Sequence, residues 1–169
     1  MILAVDPGSK VSGWAIVTDD GRVVRSGVAA GSRIGILSRR IRAAVTQAFA
    51  VAGAEPVRLV IERHPVTHRK GAPTDAWGPG LAAGLFIAAW ESWASEGERP
   101  PEPRMVAVRD WRRAMLGRTR GRDQAKRMAV LRAREELAAV GLKFTAPGHQ
   151  QADEAESLLL GIYAAKVAK

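Results

Sequence analysis

Four carboxylates stand where elements of the sequence begin or end. Asp6 closes the apolar run 2–5, and Glu62 closes the run 57–61. Asp153 and Glu156 are three residues apart in a segment with helical periodicity, so they project from one face of a helix. Clustered carboxylates repel one another unless hard cations compensate them, and oxygen ligands suit Mg²⁺ or Mn²⁺. The four acids therefore predict a divalent-metal site.

Three of these acids also have a simpler structural interpretation. Asp6 precedes Pro7 and Gly8, and an Asp in that position favours a turn because its side chain bonds local backbone. Acids near the start of a helix are stabilised by the helix dipole, which would explain Asp153. The dipole explains Glu156 less well, because this residue lies a full turn inside the helix beside apolar residues.

The elements that must position these acids form an α/β pattern. Strands are predicted at residues 2–5, 11–17, 22–28, 57–61 and 104–108, with helices at 34–51, 81–94, 110–116, from a cap at Asp123 to before Gly141, and from His149 onward. The first three strands form an antiparallel meander. A helix then crosses to the fourth strand, which makes the strands that end at Asp6 and Glu62 parallel. Both acids are therefore expected at one edge of a mixed five-stranded sheet.

The bulk composition indicates one domain spanning residues 1–169. The chain has no Cys, which excludes a disulfide framework and thiolate metal sites. Its longest apolar stretch, residues 81–90, is far shorter than the roughly 20 residues that a membrane span requires. We therefore expect a cytoplasmic protein that does not associate with membranes.

Positive charge is concentrated in one segment. Between Arg109 and Arg134 there are ten Lys or Arg residues and two acids, so this segment carries +8 of the chain's formal +9. Such an excess favours a polyanion, most simply nucleic acid, over a solvated charged face. Trp111 within the segment could stack on a base or pack in the core. The predicted DNA-binding residues are Arg69, Lys70, Arg109, Arg112, Arg113, Arg118, Arg120, Arg122 and Lys126.

The helix predicted at residues 81–94 has almost no polar face before Glu91. A helix that is apolar all round must be covered on more than one side. We therefore expect Phe86, Trp90 and Trp93 to form part of a dimer interface. Burial beneath the polar loop 63–79 is the alternative.

Three motifs together resemble the RuvC family of Holliday junction resolvases. They are the run from Asp6 to Ser9 followed by Val11-Ser-Gly-Trp14, the strand Leu59-Val-Ile-Glu62, and Gln151-Ala-Asp-Glu-Ala-Glu156. The motifs occur in the family's order and at comparable spacing over essentially the whole chain. The compact chain and the basic Trp111-Arg-Arg segment look more like the bacteriophage branch of the family.

The resemblance implies an RNase H-like fold and a homodimer that cuts two opposed strands of a four-way DNA junction. Asp6, Glu62, Asp153 and Glu156 would be the catalytic acids. They would hold two Mg²⁺ ions, for which Mn²⁺ would substitute, and no small-molecule cofactor would be needed. Arg113 and Arg122 fall near positions where the family binds DNA through Lys, and His149 is a candidate accessory residue.

The chain departs from the family at two points. Glu156 stands where the family commonly has Asp, and Pro65-Val-Thr67 follow the strand Glu where bacterial members have an aromatic wedge. Two alternative functions remain open. One is a YqgF-like RNase acting on RNA, and the other is a catalytically silent module that binds DNA junctions.

Overall fold

The computed structural model describes residues 1–63, 77–93 and 101–167, except for the side chain of Trp77. Within these ranges it contains five strands, five α-helices and one short 3-10 helix. The strands are β1 (Ile2–Asp6), β2 (Val11–Val17), β3 (Val23–Ala30), β4 (Arg58–Arg63) and β5 (Arg104–Ala107). The helices are α1 (Ile34–Ala52), α2 (Trp77–Glu91), α3 (Val108–Leu116), α4 (Gly121–Ala139) and α5 (Gln151–Lys166), with the 3-10 helix at Gly148–Gln150.

The five strands form one mixed sheet in the order β3-β2-β1-β4-β5. β1, β2 and β3 pair antiparallel, whereas β4 pairs parallel to both β1 and β5. The turn after Val17 reverses the chain, and α1 returns it so that β4 runs alongside β1 in the same direction. The predicted fold class, an antiparallel meander joined to parallel strands and flanked by helices, is confirmed.

Helices cover both faces of the sheet. On one face, α1 and α2 pack against Leu3 and Val5, and on the other α3, α4 and α5 pack against Ile2 and Ala4. This division follows from the alternation of side chains along a strand, which gives β1 two apolar faces. Such a strand must be central, and β1 lies in the middle of the sheet.

Several predicted boundaries differ from those observed. α2 begins at Trp77, four residues before the predicted start. α5 begins at Gln151 and not at His149, which lies instead in the 3-10 helix that precedes α5. Asp123 does not cap α4: it lies inside the first turn, and the capping residue Arg120 makes no side-chain cap bond. The side chain of Gln124 instead accepts a hydrogen bond from the backbone N–H of Arg120.

Two of the three aromatic residues predicted at a dimer interface lie in the core. Phe86 is 0% exposed and Trp90 is 2% exposed, and the Trp90 indole donates a hydrogen bond of 3.0 Å to the Val57 carbonyl. Their assignment to a subunit interface was wrong because the core beneath α2 accommodates both rings. Trp93 remains 46% exposed and stacks on Phe49, with ring centroids 5.5 Å apart.

The described helices include none that is both long enough and apolar enough to cross a membrane.

Candidate metal centre

The parallel pairing of β1 and β4 brings two of the predicted acids to one edge of the sheet. Val5 is opposite Ile61 in the register, so Asp6 and Glu62 are the next residues on neighbouring strands. Both are buried, with 8% and 1% of their surface exposed. Burying charged groups costs free energy unless other groups compensate them, so this edge must bind or pair charge.

Helix α5 brings the remaining two acids to the same edge. One carboxylate oxygen from each of Asp6, Asp153 and Glu156 lies within 4.8 Å of the others. Glu62 stands outside this three-residue group, and its Oε2 accepts a hydrogen bond of 2.6 Å from the Trp111 indole. The indole is 0% exposed, so of the two interpretations of Trp111 the structure supports core packing.

A glycine in β2 allows α5 to approach so closely. Gly13 pairs with Asp6 in the register, and the backbone of Asp153 lies directly over it. A Cβ at Gly13 would overlap the Asp153 carbonyl oxygen and would lie 2.5 Å from its carbonyl carbon. The absence of a side chain at Gly13 therefore allows the two acids of α5, Asp153 and Glu156, to lie close to Asp6.

The cluster raises the pKa of Glu156 to about 7, mainly because burial penalises the charged carboxylate. The negative charge of Asp6 raises this pKa further, whereas the nearby cations of Arg112 and Lys126 lower it. A buried acid with a raised pKa, adjacent to two other carboxylates, is typical of a site that binds cations.

Two of the predicted DNA-binding residues contact the acids. Arg112 forms an ion pair with Glu156, and Lys126 Nζ lies 3.1 Å from Asp153 Oδ1. Both cations are half-buried, unlike the other basic residues predicted on α3 and α4. These pairs compensate two of the acids from the α3 and α4 side of the sheet.

The other predicted DNA-binding residues that the structure describes are exposed on α3, on α4 and on the turn between them. They are Arg109, Arg113, Arg118, Arg120 and Arg122. Arg69 and Lys70 lie outside the described residues. His149 lies on the 3-10 helix before α5, where its ring nitrogen is 3.1 Å from the side-chain nitrogen of Gln150.

Glu154 is a buried acid that the sequence analysis did not single out. It is 0% exposed, and its carboxylate accepts hydrogen bonds from Ser26 Oγ at 2.6 Å and from the backbone N–H of Ala146 at 2.7 Å. The backbone N–H of Thr145 also donates to it. Glu154 thus joins α5 to β3 and to the segment before the 3-10 helix. Its position between Asp153 and Glu156 was the available signal.

The donor set is suited to a hard divalent cation. Three carboxylates from β1 and α5 converge, the described part of the site contains no thiolate or imidazole among them, and two cations already compensate the negative charge. Oxygen-only donors of this kind are the ligands that Mg²⁺ and Mn²⁺ prefer. Asp6, Asp153 and Glu156 are the residues that could hold such an ion.

Comparison with known proteins supports the fold. No family model matches the sequence, and no curated protein matches it. A solved structure that does match is that of T. thermophilus RuvC in complex with a Holliday junction substrate. The TM-score is 0.66 at 20% identity, and the match covers 99% of this chain and 95% of that one. The chain therefore has the RNase H-like fold of RuvC.

Proposed function

We propose that this protein is a structure-selective endonuclease that resolves four-way DNA junctions and cuts other branched DNA. The observation that carries the proposal is the convergence of Asp6, Asp153 and Glu156 within 4.8 Å at the edge of an RNase H-like sheet. The similar fold of a protein solved with a Holliday junction supports the choice of substrate. In this proposal the 169 residues act as one domain, and the compact chain and the basic Trp111-Arg-Arg segment favour the bacteriophage branch of RuvC-like proteins.

The catalytic acids in this proposal are Asp6, Glu62, Asp153 and Glu156. Two Mg²⁺ ions, or Mn²⁺ in their place, would supply an activated water and would stabilise the leaving 3′ oxygen. Glu62 is held by the Trp111 indole, which fixes its orientation at the edge. Gly13 leaves room for the start of α5, and the hydrogen bonds of Glu154 anchor it. Asp153 and Glu156 can therefore face Asp6.

The basic residues of α3 and α4 would hold the DNA. Arg109, Arg113, Arg118, Arg120 and Arg122 are exposed and would contact phosphates directly, together with the predicted residues Arg69 and Lys70. Arg112 and Lys126 pair with the acids and would act beside the scissile phosphate. Binding of this kind releases counterions, so affinity should fall steeply as salt rises.

A homodimer would present two such centres to a twofold-symmetric junction. The outward face of α2 supports this arrangement, because Leu81 is 46% exposed and Gly84 and Ala88 beside it are exposed and small. Small residues let two helices approach closely. Trp93, which is also 46% exposed, lies just beyond the end of the same helix. A Leu81→Arg variant should be monomeric by light scattering and should no longer make paired nicks.

A substrate comparison tests the proposed function against its alternatives. Wild-type protein is incubated with a four-way DNA junction, a linear DNA duplex and an RNA–DNA hybrid, in Mg²⁺ or in EDTA. Symmetric nicks on the junction, present in Mg²⁺ and absent in EDTA, support the resolvase. Selective cleavage of the RNA strand would favour the YqgF-like RNase. Binding of the junction without cleavage in Mg²⁺ or Mn²⁺ would favour a silent binding module.

A further inference from the structure

The face of the sheet opposite the basic segment carries a second group of arginines. Arg33 precedes α1, and Arg39, Arg40 and Arg42 lie in its first half. All four are exposed, and we refer to them as the α1 surface. The second half of the helix, residues 43–52, has no charged residue, so the positive charge is confined to one end.

That end of α1 lies at the edge of the sheet where the acids converge. β3 runs parallel to β1, and its last residue, Ala30, pairs with the first residue of β2, Val11. The Gly31 N–H then donates a hydrogen bond of 2.8 Å to the Lys10 carbonyl, in the turn that follows Asp6. Because an α-helix rises about 1.5 Å per residue, Arg42 is only about 12 Å along the axis from the start of α1.

The α1 surface differs from a helix face that is merely solvated. Within residues 1–63, 77–93 and 101–167, none of its four arginines forms an ion pair, and residues 21–54 contain no acid. The second half of α4 shows the contrasting arrangement, because Arg132 forms ion pairs with Glu135 at 3.0 Å and with Glu136 at 2.7 Å. Four uncompensated guanidinium groups within ten residues, 33 to 42, make a local excess of positive charge that attracts polyanions.

We propose that the α1 surface binds the phosphate backbone of a second duplex arm of the DNA. This inference rests on the proposed function and adds to it a second protein surface that contacts the DNA. The acid edge lies between two positive surfaces, with α3 and α4 on one face of the sheet and α1 on the other. Duplex arms diverge from a branch point, so a strand placed at the acids has one arm on each side. Arginine suits this contact because its planar fork binds phosphate oxygens in pairs.

The test compares two variants with equal charge. One variant combines Arg39→Gln, Arg40→Gln and Arg42→Gln. The control combines Arg22→Gln, Arg25→Gln and Arg58→Gln, which removes the same charge from the opposite end of the sheet, where Arg22 follows the turn after β2 and Arg58 begins β4. Glutamine is a good helix former, so α1 should be retained, and circular dichroism checks this.

Dissociation constants are measured for a four-way junction and for a linear duplex between 50 and 200 mM salt. Each lost phosphate contact lowers the slope of log K against log salt by about 0.9, so three contacts lower it by about 2.7. Wild-type affinity should accordingly fall about 40-fold more over this range than that of the α1 variant. The control variant should retain the wild-type slope.

An equal slope for wild type and the α1 variant would overturn the inference, and so would an equal loss in both variants, which would indicate a general charge effect. Either result leaves junction cleavage by the wild type intact and thus spares the proposed function. If the wild type binds duplex through the α1 surface but does not cut junctions, the inference stands and the proposed function fails. Absence of any DNA binding would overturn both.

Discussion

Replacing Gly13 with Ala should separate the acids of α5 from Asp6. The added Cβ would lie 2.5 Å from the Asp153 carbonyl carbon, where ordinary contact begins at 3.4 Å, and it would overlap the carbonyl oxygen, so the backbone must shift by at least about 0.9 Å. Metal–ligand distances tolerate only about 0.2 Å. The shift therefore exceeds that tolerance severalfold. Overpacking of this kind costs about 1–3 kcal/mol in the free energy of unfolding, which leaves a domain of ordinary stability folded.

Urea denaturation with and without Mg²⁺ measures both effects at once. For the wild type, Mg²⁺ at a hundred times its dissociation constant should raise the free energy of unfolding by about 2.7 kcal/mol. Gly13→Ala should unfold at lower urea in EDTA and should lose most of this gain. Junction cleavage should be lost with it, whereas junction binding, which depends on exposed arginines, should persist.

Gly161→Ala is the matched control. It adds a methyl group between the same helix and the same sheet, 2.7 Å from Val17 Cγ2, at a distance from the acids. This variant should also lose stability, but it should keep its response to Mg²⁺. A Gly13→Ala protein that still gains the wild-type free energy from Mg²⁺ and cuts junctions would refute the idea that Gly13 sets the geometry of the centre.

Three further predictions follow from buried contacts. The pKa of Glu156 is raised from 4.5 to about 7, so without metal its contribution to stability is fully present below about pH 4.5 and is lost as the pH rises through 7. Urea denaturation in EDTA from pH 4 to 8 should show this decline in the free energy of unfolding of the wild type and a weaker decline in Glu156→Gln. Equal slopes against pH for the two proteins would contradict the prediction. Glu154→Gln places an amide N–H₂ where three backbone and hydroxyl donors converge, and it should lower the free energy of unfolding by about 1–3 kcal/mol; a wild-type urea midpoint would show that the carboxylate is not needed. Trp111→Phe removes the indole donor from Glu62 and should cost a similar free energy, about 1–3 kcal/mol; thermal unfolding checks this, with an unchanged midpoint as the contrary result.

The sheet could be predicted from the sequence because its strands follow local rules. Short runs of branched apolar residues ended at turns or acids, and one helix between β3 and β4 required a parallel pairing. This reasoning placed Asp6 and Glu62 on neighbouring strand ends, as the register has them. The spacing of Asp153 and Glu156 likewise put both on one helix face.

Long-range contacts could not be predicted in the same way. The sequence does not indicate that Trp111 reaches Glu62, or that Arg112 and Lys126 pair with the acids, because these residues are 27 to 49 positions apart. Phe86 and Trp90 were assigned to an interface because a helix with no polar face gives no signal of how much of it the core can cover. A glycine at position 13 permits a close approach of other backbone, but that the approaching segment is α5 follows from packing that the sequence does not show.

Asp123 shows a limit of local rules. An Asp before an amphipathic segment favours a cap, but α4 begins two residues earlier at Gly121, whose φ of 80° lies in the region that glycine adopts readily. Glu154 shows another limit. One of its hydrogen bonds comes from Ser26, which is 128 positions away.

The most direct test of the metal centre compares Asp6→Asn and Asp153→Asn with the wild type on a four-way junction in Mg²⁺. Cleavage and the dissociation constant are measured on the same substrate. Both variants should bind the junction at least as tightly as the wild type, because a negative charge beside the phosphates is removed, and neither should cut it. Cleavage at the wild-type rate by either variant would contradict the assignment of this carboxylate cluster as the catalytic centre.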